Sequence, residues 1–135
     1  NGGPGMQKAP SIDEWLNEAR QSEQADQIGM YLVHNGVVRK SPRAQVRDGA
    51  PADAEVVGMS FDYDEAKVHA AIEATKRLNG VYYVRVWCNR GQLEVGATIM
   101  QVLIGADIRP HAVDALQSLV GEIKSNCVRE DEILR

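Results

Sequence analysis

The chain has 135 residues, 44% hydrophobic and 25% charged, with 15 Lys and Arg against 19 Asp and Glu for a formal charge of −4. That size suits one domain with a core of its own, and the mixed, slightly acidic charge excludes non-specific nucleic-acid binding, so a basic residue that matters acts locally. No apolar run approaches the roughly 20 residues of a membrane span, no basic-then-apolar leader opens the sequence, and Cys88 and Cys127 have no metal-ligand spacing, so a cytoplasmic protein with free thiols, no metal and no membrane partner is expected.

Residues 1–10 read as a flexible leader and 11–135 as a single domain. Ser11 with Glu14 forms a capping box, and Ile12, Trp15, Leu16 and Ala19 share a face, which predicts a helix to about Gln24 that packs through Trp15. From Ile28 to Arg39 the residues turn β-branched and aromatic. Asn35-Gly36 interrupts them as a bulge rather than a turn, because Val37 and Val38 continue the strand; His34 lies inside it. Lys40 to Ala54 is a long loop whose Lys40, Arg43 and Arg47, following Arg39, make a positive cluster suited to closing on an anion or simply to solvation.

Glu55 to Asp62 reads as a strand, and Asp62 or Asp64 caps a helix with the stripe Val68, Ala71, Ile72, Thr75 and Leu78, ended by Asn79-Gly80. Val81 to Cys88 is a strand. Arg90 to Gly96 turns the chain into Thr98 to Ala106, apolar at nearly every position and therefore a strand covered on both faces. Pro110 opens a helix with apolar residues at Val113, Leu116, Val120 and Ile123, and the charged segment after Lys124 looks like a frayed end. The order predicts an α+β domain with a mixed or antiparallel sheet covered by helices. Tyr82, Tyr83 and Trp87 offer more aromatic surface than such a sheet can bury alone, which argues for a two-fold dimer.

No phosphate-cradling loop, dinucleotide fingerprint or nucleophile elbow occurs, and His34, His69 and His111 are scattered. Catalysis, if present, rests on lysine and arginine and points to an anionic substrate. Arg109 at the start of the last helix and Lys124 at its end could hold an anion; they could equally solvate a corner and complement the helix C-terminus.

In order and spacing these segments resemble the large, catalytic subunit of molybdopterin synthase, from Ile28 to Lys124. Gly36 to Arg39 is similar to that family's Gly-x-Val-Arg, Ser60 to Tyr63 to its Glu-x-Tyr segment, and Arg90 to Gly96 to its x-Gly-x-Leu-x-x-Gly turn. Ile108 to Ala115 is similar to its His-Arg-x-x-Ala-Phe-x-Ala, and Ile123-Lys124 to the lysine that closes its helix. The resemblance implies an α/β hammerhead-type fold and a homodimer that builds a heterotetramer with a small ubiquitin-like sulfur-carrier subunit. That partner's Gly-Gly C-terminus carries a thiocarboxylate, whose sulfur is transferred to cyclic pyranopterin monophosphate, the pterin phosphate substrate, to form the molybdopterin dithiolene in molybdenum cofactor biosynthesis, without a further cofactor.

By the same resemblance Lys124 is the catalytic lysine and Arg39 and Arg109 grip the substrate anion, with Arg43, His34 and Arg129 as further substrate contacts. These residues are expected to converge on one pocket, walled in part by the chain after Lys124. Three departures stand out: Ile108 where the family has His, Cys88-Asn89 where it has another His-Arg, and no Pro-x-Trp-Lys-Lys/Arg-Glu tail, with Arg129 nearest its second lysine. They motivate an alternative, a non-catalytic paralogue acting as a dimeric anion- or partner-binding protein.

Overall fold

A computed structural model describes residues 7–43, 47 and 54–135. In chain order the elements are helix α1 (Ile12–Arg20), strands β1 (Met30–Val37) and β2 (Val56–Tyr63), helix α2 (Glu65–Lys76), strands β3 (Val81–Cys88), β4 (Gly91–Glu94) and β5 (Thr98–Ala106), helix α3 (Arg109–Glu122) and strand β6 (Val128–Leu134). The fold is α+β. The described strands form two three-stranded sheets, ordered β1-β5-β3 and β4-β2-β6, and every pairing is antiparallel.

β5 is the centre of the first sheet. Every residue from Ile99 to Ala106 is buried, because this strand is covered on both faces as its unbroken apolar run requires. On one face Leu103 packs with Trp15 and Ala19 of α1, alongside Tyr31, Val33, Tyr83 and Trp87. Arg85 stacks over the Trp15 ring, 4.7 Å from its centroid, and bonds Glu18, which fixes α1 across the strands. On the other face Met100, Val102 and Ile104 meet α2 and α3 in the main core.

Both helix starts follow from their caps. The Ser11 hydroxyl accepts from the Glu14 N–H at 3.2 Å, and the Asp64 carboxylate accepts from the Lys67 N–H at 3.1 Å. In α3 the fully buried positions are Ala112, Ala115 and Leu119, continued by Ile123, whereas the predicted stripe through Val113, Leu116 and Val120 lies on its flanks. Two alanines at the contact bring the helix axis close to the sheet, so small side chains mark the buried face better than large ones.

Other expectations are corrected. The segment after Lys124 is not frayed: β6 pairs with β2 from Tyr63↔Val128 to Val56↔Leu134. The turn after Arg90 contains a strand, β4, paired on the opposite edge of β2, so two sheets replace the one foreseen. Helix α1 ends at Arg20 rather than near Gln24. Residues 7–10, assigned to a leader, begin with a clamp: the Gln7 N–H donates to Asn89 Oδ1 at 2.8 Å, and Asn89 Nδ2 returns a bond to the Gln7 carbonyl at 3.0 Å. The remainder of the leader, 1–6, and most of the foreseen loop, 44–46 and 48–53, fall outside the described residues. Tyr83 and Trp87, offered as dimer surface, pack beside α1 and are left partly exposed by it. The bulge in β1 is present as a register shift between Gly36 and Val37. Among the described residues no helix is long and apolar enough to cross a membrane.

Gly80, after α2, has φ +81, and a Cβ on it would collide with His111 and Asp107, whereas Gly96, at φ +90, has open space around it. Gly80→Ala should therefore destabilise by more than the ~1–3 kcal/mol of a strained backbone, and Gly96→Ala by that backbone cost alone. Urea unfolding midpoints of the two variants check the order.

Candidate functional site

Because α3 follows β5 through a two-residue corner and packs back along it, the helix C-terminus returns to the Thr98 end of the sheet. There the last turn widens into a π turn, Ile123–Cys127, anchored by buried Ile123 and Cys127 and presenting exposed Lys124. β1 ends at the same edge, where Val38 exchanges backbone bonds with Gly96 and Ala97, and Arg39 follows it.

Between these pieces lies a cleft of about 280 Å³ lined by Arg39, Arg43, Arg47 and Lys124. Met59 and Ile99 supply its apolar part, and Glu130, Asp131 and Glu132 of β6 form the facing wall. Arg39 Nε donates to the Ser41 carbonyl at 3.0 Å. The Arg43 N–H donates to the Glu132 carboxylate at 3.1 and 3.3 Å, and its guanidinium lies 3.7 Å from Glu130. Four cations thus stand across one cleft from the carboxylates of β6, and their forked guanidinium donors suit the cationic side to a phosphate.

His34 stands on β1 opposite Val102, the face that α3 covers, and its Nε2 is buried with no hydrogen-bond partner among the described residues. Burial, and then the positive charge of Lys124, hold its imidazole below the ordinary histidine value. His34 is thus a neighbour of Lys124 rather than part of the cleft lining.

Arg109 and Arg129 do not join this group within one chain. Arg109 opens α3 and Lys124 follows its end; a 14-residue helix is about 21 Å long, so the two cations sit at opposite ends of the unit. Arg129 alternates with Glu130 on β6 and lines a separate shallow depression with Asp62, Tyr63 and Lys67. Arg90 stacks on Tyr63, 4.5 Å from the ring centroid, and pairs with Asp62 at 3.2 Å, while buried Asn89 is spent on holding Gln7, Thr98 and the Arg90 N–H. Burial, with a smaller contribution from nearby Cys127, pushes the Cys88 thiol up to about 12, and burial raises Cys127 as well, so neither is a ready nucleophile.

The carboxylate wall was missed in the sequence because charged VREDEIL carries little strand signal. The available clue was its flanks, Cys127-Val128 and Ile133-Leu134, apolar pairs set a strand length apart.

A family model described as MoaE protein matches residues 7–126. The chain belongs to the MoaE protein family. Three solved structures share the fold of this MoaE-family chain. Molybdopterin synthase from Staphylococcus aureus is 16% identical, with TM-score 0.72, over 95% of this chain and 88% of that one. A complex of subunits 1 and 2 of molybdopterin-converting factor from Helicobacter pylori 26695 is 20% identical, with TM-score 0.66, over 96% and 83%. The molybdopterin biosynthesis MoaE protein from Burkholderia ambifaria MC40-6 is 15% identical, with TM-score 0.70, over 96% and 83%. No curated protein sequence matches significantly. At these identities the structural likeness is one of fold.

A folded imidazole held below its unfolded value takes its proton later than the unfolded chain does. The contribution of His34 to stability is therefore present above about pH 6.5 and is lost as the pH falls through that unfolded value toward the folded one. NMR titration should find His34 below the ordinary histidine range, and Lys124→Ala should move it part of the way back up, burial keeping the rest.

Proposed function

We propose that this protein is the sulfur-transferring large subunit of a molybdopterin synthase. It takes sulfur from the thiocarboxylated Gly-Gly tail of a small ubiquitin-like subunit and delivers it to cyclic pyranopterin monophosphate. Family membership supports a role in molybdenum cofactor biosynthesis, and the printed pairing of subunits 1 and 2 in the Helicobacter pylori complex supports a small-subunit partner here. The observation that carries the reading is the meeting of Arg39 and Lys124, from opposite parts of the chain, in one cleft.

Arg39, Arg43 and Arg47 bring forked guanidinium donors to the cleft, so they bind the phosphate and compensate the charge of the incoming thiocarboxylate. Lys124 is the only lysine lining the cleft among the described residues, and an amine can both donate and accept a proton in the transfer, which a guanidinium cannot. His34 supports Lys124 from the strand beneath. Arg109 can serve such a cleft only from a second copy, which the proposed homodimer supplies.

The carboxylates of β6 favour the second reading, a non-catalytic paralogue that binds an anion or a partner. Glu130 and Glu132 face the cations, where the resembled family carries a lysine-rich tail. Reconstitution with a thiocarboxylated small subunit and pterin substrate separates the two, because a paralogue binds and forms no dithiolene.

Lys124→Ala should reduce dithiolene formation by about 100-fold or more while changing unfolding free energy by less than about 0.5 kcal/mol, since the side chain is exposed. Unchanged turnover removes Lys124 from catalysis. Sedimentation should give a dimer of the 14.8 kDa chain; a monomer at micromolar concentration removes Arg109 from the site.

A further inference from the structure

Antiparallel partners share a face of their sheet, and β6 pairs Glu130 with Phe61 and Glu132 with Met59. Phe61 and Met59 are buried, so both glutamates point to the inward side of β6, into the cleft that Arg39 and Lys124 line. Their duties differ. Glu132 already accepts the Arg43 backbone N–H. The Glu130 side chain is only 20% exposed, and the one cation within ion-pair distance of it among the described residues is Arg43, at 3.7 Å, too long for a hydrogen bond. A carboxylate held this way keeps acceptor capacity in a partly dry place, where hydrogen bonds to charge are strong.

A cleft built only for phosphate has no use for such a group, since a carboxylate repels an anion. The arrangement suits a ligand with two unlike ends, one anionic and one presenting a pair of parallel N–H donors. An ionised carboxylate accepts two such donors at once, the same fork it offers a guanidinium. The 2-amino-4-oxopyrimidine edge of a pterin is a donor pair of this kind, through its ring N3–H and its exocyclic amine.

The geometry points to Glu130 as the specificity residue of the cleft, accepting the two N–H donors of the aminopyrimidinone edge while Arg39 and Arg47 take the phosphate end. This rests on the proposed pterin phosphate substrate and adds the residue that reads its base. The competing explanation is that inward charges on β6 only blunt an exposed sheet edge against aggregation.

Binding to the full chain tests the assignment, using three probes: pterin, lumazine, which carries oxygen in place of the 2-amino group, and inorganic phosphate. Wild type should bind pterin about 10-fold or more tighter than lumazine, the value of a charge-assisted hydrogen bond. Glu130→Gln should abolish that preference and leave phosphate affinity equal or higher. Glu132→Gln should keep the preference, and Arg39→Ala should weaken phosphate alone. Absence of a pterin preference in wild type overturns the proposal without any variant. So does a preference that survives Glu130→Gln, or one lost equally in Glu132→Gln, which marks the pair as edge protection. Since the readout is equilibrium binding, a failure of sulfur transfer in reconstitution leaves this result standing on its own.

Discussion

The burial of β5 on both faces is the constraint from which the site follows. A strand apolar from Ile99 to Ala106 needs a layer on each side; α1 supplies one through Trp15, and α2 with α3 supplies the other. A helix that must lie on the strand it has just left can only run back along it. That return carries Lys124 to the edge where β1 releases Arg39, and it strands Arg109 at the opposite end of the helix. The separation of the two cations that frame α3 is thus a product of core packing.

The cleft lies on the seam between the two sheets. Arg39 follows β1 of the first sheet, the carboxylates belong to β6 of the second, and Lys124 sits on the π turn that joins α3 to β6. Its charges oppose each other across a small volume. Four cations lower the cost of holding negative charge in partial burial, and Glu130 and Glu132 limit how much of that field is left for a ligand. Such a balance favours a ligand of mixed character over a bare anion, and it fixes the backbone at Arg43 through Glu132.

Elements with strong local patterns were legible in the sequence: the capped starts of α1 and α2, the bulge at Gly36, and strands β1, β2, β3 and β5 all lie where composition put them. β4 and β6 were not, because a four-residue strand and a charged edge strand owe their existence to β2, a partner distant in sequence, rather than to their own residues. The meeting of Arg39 with Lys124 was foreseen through family resemblance, and the direction of α3 supplies its physical reason. Arg109 was grouped with them because sequence proximity to a helix says nothing about which end of that helix faces the site. The facing acids were invisible once the tail had been read as loose.

β6 also sets an order of events. The first sheet and its helices are complete by Ile123; there β5 pairs with β3 close by in the chain, and with β1 across a span about as long as the one β6 must close. The second sheet closes only when Val128–Leu134 finds Val56–Tyr63 across most of the domain. Long loops must be closed before such pairings are rewarded, so they are slow to form. An edge strand bearing three acids and one base over its length also gains little from burial to hold it in place. The acidic wall of the cleft is therefore held by little apolar burial and is the part readiest to open, so local unfolding removes the carboxylates that face the cations before it removes the cations themselves.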